Sequence, residues 1–317
     1  MKIVMLDGYT TNPGDINFDN FKKYGEFIYY DRTPKTKKDV LERAGDADII
    51  ITNKTTITKD IIDELTNCRY IGLMSTGYDA VDVKAARTRG ITVCNVPTYT
   101  TDAVAQMTFA LILEIFNNAK LHSDLVHAGE WQKCEDFCFW KSPLSELSGK
   151  AMGLIGFGRI GKAVARIANA FNMKVIAYTR SRFEHEYVQG VDLDTLLSTS
   201  DIVCLHAPLN EGTEKIINAK TISKMKTGAV IINTSRGRMI DDSALAEALK
   251  SGKIKAAGVD VLTVEPPKSG NPLIECENCI ITPHISWAAV ETRKRLTEIV
   301  EENLKKFLEG TPQNEVF

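Results

Sequence analysis

The stretch Met152-Gly153-Leu154-Ile155-Gly156-Phe157-Gly158-Arg159-Ile160-Gly161 joins an apolar run to a turn of the form G-x-G-x-x-G. The glycines alone are a weak signal, because glycine-rich turns are common. Their surroundings carry the reading. An apolar strand pattern ends at Ile155, and a helical pattern with Ile160, Val164, Ile167 and Ala168 on one side follows it. A second strand pattern then runs from Lys174 to Tyr178. Strand, glycine turn, helix and strand make the βαβ unit that holds a dinucleotide. In such a unit Gly156 permits the tight turn, Gly158 lets the backbone approach a pyrophosphate, and Gly161 lets helix and strand pack closely. The start of the helix directs unpaired N–H groups at the phosphates.

The end of the second strand distinguishes NAD from NADP. An NAD site usually carries Asp or Glu there, accepting from the ribose 2′-hydroxyl. This chain has Thr179-Arg180-Ser181-Arg182, and no carboxylate until Glu184. Two guanidinium groups and two hydroxyls suit the 2′-phosphate of NADP. The same residues also fit a solvated basic turn in an enzyme that takes either dinucleotide, so the expectation leans to NADP with NAD kept open.

Outward from this unit, strand patterns continue at Ile202–His206, Val230–Asn233, Ala256–Val261 and Ile280–Thr282. Before it, the first hundred residues alternate strands at Ile3–Leu6, Phe27–Tyr30, Ile49–Ile51, Tyr70–Met74 and Ile91–Val96 with helical patterns. Those helices are expected near Phe18–Tyr24, Lys37–Ala44, Lys59–Leu65 and Val83–Arg89, with Thr36 and Thr58 as helix starts. Thr101–Ala119 reads as one long buried helix, Trp131–Lys150 as an irregular connection, and Ala288–Glu309 as a last helix stopped by Gly310 and Pro312. Strands alternating with helices at this spacing predict parallel sheets covered on both faces, an α/β protein.

Composition sets limits on what the chain does. Its 317 residues suffice for two domains, and 44% hydrophobic with 25% charged residues is ordinary for a globular protein. A net charge of −2 gives no cationic footprint for nucleic acid. The start at Met1–Asp7 enters a strand pattern without a leader, and Ala103–Phe116, broken by Gln106, Thr108 and Glu114, is too short and polar to cross a bilayer. No membrane association is expected. The seven cysteines are scattered; the pairs Cys134/Cys138 and Cys276/Cys279 lack partners at zinc-site spacing, so no metal is expected. Reduced thiols in a cytoplasmic enzyme are the better fit.

Three strand ends in the second half carry polar groups. Val230–Asn233 leads to Thr234-Ser235-Arg236-Gly237, Ala256–Val261 contains Asp260 and leads to Glu265-Pro266, and Ile280–Thr282 leads to Pro283-His284. Ligands of parallel α/β sheets bind at the carboxyl ends of strands. Reduction of a 2-keto acid has a use for each group. Arginine grips the carboxylate with paired hydrogen bonds, histidine donates the proton to the nascent alkoxide, and a carboxylate orients the histidine and favours its charged form. Singly, Arg236, Glu265 and His284 would read as a surface cation, a helix-start acid and a buried histidine. Together, on strand ends beside a dinucleotide unit, they make a catalytic group.

The run MKTGAVIINTSRGRMIDDSALAEALKSGKIKAAGVDVLTVEP at Met225–Pro266 closely resembles the D-isomer-specific 2-hydroxyacid dehydrogenases, as do LIGFGRIG at Leu154–Gly161 and TPHISW at Thr282–Trp287. The resemblance spans essentially the whole chain. Trp131, Asp136-Phe137-Cys138-Phe139-Trp140 and Trp287 make it most similar to the glycerate dehydrogenase (hydroxypyruvate reductase) branch. It departs at Gln106-Met107, where the family often has Glu-His, and at Thr179.

The resemblance implies two doubly wound parallel-sheet domains with a cleft between them. Residues 1–100 plus 288–317 would form a discontinuous, flavodoxin-like substrate domain, and 101–287 a Rossmann cofactor domain. It implies that Arg236 binds the substrate carboxylate and carbonyl, that His284 is the acid/base and also touches substrate, and that Glu265 pairs with it. Arg159 and Ile160 would meet the pyrophosphate, His206, Pro208, Thr213 and Thr234 would line the cofactor cleft, and Asp260 would lie near the nicotinamide carboxamide. Thr76 and Gly77, in Ser75-Thr76-Gly77-Tyr78-Asp79, would hold the substrate carboxylate through backbone N–H groups, with Asn53 a further candidate. The implied activity is reduction of hydroxypyruvate or glyoxylate to the D-2-hydroxy acid by a homodimer. Another 2-keto acid, or a dinucleotide-sensing corepressor on the same fold, are the alternatives.

Overall fold

The computed structural model describes residues 1–317, which divide into two compact units, Met1–Thr100 with Trp287–Phe317, and Thr101–Ser286.

The first unit is built on five parallel strands, β1 (Lys2–Met5), β2 (Glu26–Tyr29), β3 (Ile49–Thr52), β4 (Tyr70–Leu73) and β5 (Thr92–Cys94), in the order β2-β1-β3-β4-β5. That is the flavodoxin-like order. Period-two alternation sends Val4, Ile50 and Ile71 to one face, where they pack with Val40 and Ala44 of α1 (Lys37–Ala44), Ile61 and Ile62 of α2 (Lys59–Ile62), and Val83 and Ala86 of α3 (Val83–Thr88). Ile3, Met5, Ile49, Ile51 and Tyr70 fill the other face with Phe18, Phe21 and the Leu296, Val300 and Leu304 stripe of the last helix, Val290–Leu308. The chain's final thirty-odd residues complete this core because without that stripe one face of the sheet would stay bare. Thr36 caps α1 through the Asp39 N–H, whereas Thr58 makes no side-chain cap. The expected helix at Phe18–Tyr24 is instead a 3-10 turn over Asp19–Tyr24, too short to propagate as α-helix before Gly25.

The second unit opens with α4 (Thr101–Asn117) and α5 (Ala119–His127). Its seven parallel strands are β6 (Ala151–Ile155), β7 (Lys174–Tyr178), β8 (Val188–Gly190), β9 (Ile202–Leu205), β10 (Ala229–Asn233), β11 (Ile254–Val259) and β12 (Cys279–Ile281). They run in the order β12-β11-β10-β9-β6-β7-β8, so the order reverses at β6, as in a Rossmann sheet. Met152, Leu154, Cys204 and Ile232 face α4 and α6 (Arg159–Ala170); Ile155, Val203 and Ile231 face the opposite layer, with α7 (Leu193–Thr199), α8 (Ala219–Lys224) and α9 (Asp242–Lys250). The long helix expected over Thr101–Ala119 breaks at Asn118, whose φ of 47° is left-handed. From Gly129 to Lys150 no helix or strand forms. No helix is long and apolar enough to cross a membrane, no group of His, Cys, Asp and Glu is arranged to hold a metal ion, and all seven cysteines are free.

Candidate active site

The glycine turn leaves β6 where β9 ends beside it. Gly156 has φ 101°, and a Cβ there would lie 2.6 Å from the His206 carbonyl oxygen, so only glycine serves both the conformation and the contact. A Cβ at Gly161 would collide with the Gly156 carbonyl. At Gly158 nothing lies within 4 Å of that position, and the residue caps α6 without a side chain. The start of a twelve-residue helix therefore faces open space across bare backbone, a cradle that suits a pyrophosphate.

His206, just past β9, is 8% exposed, and neither ring nitrogen has a partner in the chain. Burial pushes its pKa down to about 4, so the ring is neutral at physiological pH and offers one donor and one acceptor. Both observations suit His206 to hydrogen-bonding a polar group at this end of the sheet. Thr213 donates to the Pro208 carbonyl at 2.7 Å and shapes the turn between them, while the Thr234 hydroxyl lies 3.2 Å from that of Thr108, tying β10 to α4. Thr179 donates to the Ser181 carbonyl and folds its own turn; Arg180 and Arg182 are exposed, as is Arg159, and Ile160 is half-buried.

Arg236, Glu265 and His284 line one cavity of about 150 Å³, together with Leu209, Gly237, Arg238, Val261, Leu262 and Thr263. Each is held by its own strand end. Asn233, fully buried at the end of β10, accepts from Ser235 N–H and donates to the Arg236 carbonyl, which fixes the backbone around the arginine. The Glu265 carboxylate accepts from Leu262 N–H at 2.9 Å through Oε1 and meets His284 Nδ1 at 2.6 Å through Oε2. Partial burial would raise its pKa, but the hydrogen bonds from His284 and Leu262 and the charge of Arg236 outweigh this and hold it below the usual glutamate range. The glutamate is thus ionised, and Nδ1 faces it as the donor.

The loop carrying His284 wraps around Asp260, which is 1% exposed. Its Oδ1 accepts from Thr282 Oγ1 at 2.5 Å and Ile285 N–H at 2.9 Å, its Oδ2 from Ser286 N–H at 2.9 Å, and its carbonyl from His284 N–H at 2.8 Å. His284 itself has φ 56°. The Asp260 carboxylate thus holds the histidine loop.

In the first unit, Thr76 and Gly77 follow β4, and neither backbone N–H has an acceptor in the chain. The Thr76 carbonyl accepts from Asn95 Nδ2 at 2.7 Å, and the Thr76 hydroxyl donates to Val96 O. Asn53, 5% exposed, sits in a loop gripped by Asp7, whose carboxylate accepts from the N–H groups of Asn53, Lys54 and Thr55 at 2.6–2.7 Å. Asp7, Asn95 and Asn233 were missed in sequence. Their one visible signal is a polar residue closing an apolar strand.

Residues 109–286 match the family described as D-isomer specific 2-hydroxyacid dehydrogenase, NAD binding domain. A hydroxypyruvate reductase of Blautia hydrogenotrophica is 50% identical, covering 100% of this chain and 99% of that protein. The chain belongs to the D-isomer specific 2-hydroxyacid dehydrogenases. A glycerate dehydrogenase of Methylorubrum extorquens is 36% identical over 99% of this chain and 98% of that protein. Among solved structures, an acyclic imino acid reductase in complex with NADPH and D-Arg superposes with a TM-score of 0.86 at 34% identity, each chain covered fully. The dehydrogenase fold and a nicotinamide dinucleotide follow from these matches and agree with the open glycine cradle.

Proposed function

We propose that this dehydrogenase reduces hydroxypyruvate, and glyoxylate with it, to the D-2-hydroxy acid. One observation carries the reading: Arg236, Glu265 and His284 share a single cavity, with Nδ1 of the histidine 2.6 Å from the carboxylate. The relatives named hydroxypyruvate reductase, glycerate dehydrogenase and glyoxylate reductase support the substrate class.

A bound reduced nicotinamide supplies the hydride. Arg236 grips the substrate carboxylate with paired donors and polarises the ketone oxygen. His284 delivers its Nε2 proton to that oxygen as charge develops there, and Glu265 fixes the ring through Nδ1. Thr76 and Gly77 donate backbone N–H groups to the carboxylate, and Asn53 presents a further polar edge. We assign the unit Met1–Thr100 with Trp287–Phe317 to substrate binding and Thr101–Ser286 to the dinucleotide. His206, Thr234 and the Pro208–Thr213 turn line the latter.

NADPH is the preferred dinucleotide on this reading. No carboxylate at Thr179 repels a 2′-phosphate, and Arg180 and Arg182 stand exposed to meet it. One well-formed contact gives roughly tenfold in affinity after screening. The test is kcat/KM for hydroxypyruvate, glyoxylate and bulkier 2-keto acids with both reduced dinucleotides. Hydroxypyruvate with NADPH should lead, and Thr179→Asp with Arg180→Ala should reverse the dinucleotide preference. A parent enzyme that favours NADH, or ratios unmoved by the double substitution, would refute the NADPH assignment. The exposed Trp131, Phe137, Trp140 and Leu144 favour a homodimer over a monomer, which sedimentation at micromolar concentration decides.

A further inference from the structure

Between β7 and β8 the chain runs irregularly through residues 179–187, the segment that carries Thr179, Arg180 and Arg182. Side chains along it alternate: Arg182, Glu184 and Glu186 are exposed, while Phe183, His185 and Tyr187 are half-buried. The inward face is an aromatic stack. Phe183 lies 4.5 Å from Phe157, centroid to centroid, His185 meets the same ring edge-on at 5.1 Å, and Tyr187 meets His185 edge-on at 4.6 Å. Phe157 is 7% exposed and sits between Gly156 and Gly158 of the phosphate turn. Phe183 also rests over Gly190 of β8, where a Cβ would lie 3.3 Å from the ring.

From this geometry we propose that Phe183 is a positioning residue that sets dinucleotide specificity. Its ring joins the arginine segment to Phe157 of the phosphate turn, and the extended alternation then directs Arg182 to the opposite, open face. The proposal rests on the reading of Arg180 and Arg182 as 2′-phosphate ligands. It adds that their placement depends on the packing of the Phe183 ring against Phe157 and Gly190. Without the ring, a nine-residue irregular segment regains conformational freedom, and the arginines must be ordered again on binding.

The experiment compares calorimetric binding of 2′,5′-ADP and 5′-ADP to the full-length parent, Phe183→Ala, Phe183→Leu and the double variant Arg180→Ala/Arg182→Ala. Phe183→Ala should weaken 2′,5′-ADP about three- to tenfold and 5′-ADP less than about twofold. Phe183→Leu, which keeps an apolar anchor, should recover most of the loss. Tryptic cleavage after Arg180 and Arg182 should quicken several-fold in Phe183→Ala and return toward the parent rate in Phe183→Leu. Parent-like binding and cleavage in Phe183→Ala, with the arginine double variant weakened, would overturn the role of Phe183 and leave the arginine reading standing. Equal weakening of both ligands would also overturn it, as a general loss of structure. A double arginine variant that binds 2′,5′-ADP like the parent would remove the arginine reading itself, and the proposal with it.

Discussion

At the scale of single residues, the site depends on an ionised state held by hydrogen bonds and a neutral state fixed by burial. Glu265 is held below the ordinary glutamate range, so its charge persists through the neutral region and is lost only as pH falls past that depressed value. Replacing it with glutamine keeps the shape and removes the charge beside His284. The loss of reduction on the acid side that follows protonation of Glu265 should then disappear from the pH profile. A pH profile unchanged in Glu265→Gln would break the pairing. His206 gives the opposite case, a base kept neutral by burial at about 4. The unfolded chain takes up its proton near pH 6.5 and the folded one does not, so folding loses stability as pH falls from there toward 4. The loss is at most about 3 kcal/mol. Urea unfolding of His206→Gln at pH 7 and pH 4.5 should show a smaller acid penalty than the parent; an identical penalty would place the titration elsewhere. Arg236, Glu265 and His284 were legible as a group because their chemistry is unusual at strand ends, and the structure brings all three to one cavity. Asp260 was legible as important but not in what it holds, since its partners Ile285 and Ser286 contribute backbone N–H groups that leave no mark in a side-chain pattern.

Elements repeat that lesson on a larger scale. The central strands were readable because parallel strands buried on both faces, such as β3 with Ile49-Ile50-Ile51, are continuous apolar runs. β8 was not, since Val188-Gln189-Gly190 is three residues of edge strand with only Val188 buried. Also invisible was the way the C-terminal segment ties the Thr76 loop. Asn314 donates to Asn303 at 2.9 Å, Asn303 to the Asn95 carbonyl at 2.9 Å, and Asn95 to the Thr76 carbonyl at 2.7 Å. Glu315 adds an antiparallel bridge to Cys94 on the edge strand β5. Asn303 is 1% exposed, so Asn303→Ala strands the buried Asn95 carbonyl and the half-buried Asn314 amide and should cost about 1–3 kcal/mol of stability. On the proposed role of Thr76, KM for the 2-keto acid should also rise several-fold while KM for NADPH stays level. A variant in which both constants are unchanged would show that the tie serves stability alone.

For the molecule as a whole, two open parallel sheets and the return of the last helix to the first were foreseeable from patterning and resemblance together. Patterning gave the alternation of strands and helices; only the resemblance joined residues 1–100 to the C-terminal helix, because nothing local in Leu296, Val300 and Leu304 says which sheet they cover. The claim that joins fold to function is that His284, held by Glu265 and by the loop around Asp260, delivers the proton to the reduced 2-keto acid. The direct measurement is steady-state reduction of hydroxypyruvate by NADPH at neutral pH for the parent and His284→Asn, with NADPH affinity measured alongside. Turnover should fall about 10²- to 10⁴-fold while NADPH affinity stays within about threefold. A variant that turned over within about threefold of the parent would contradict the assignment of His284 as the proton donor.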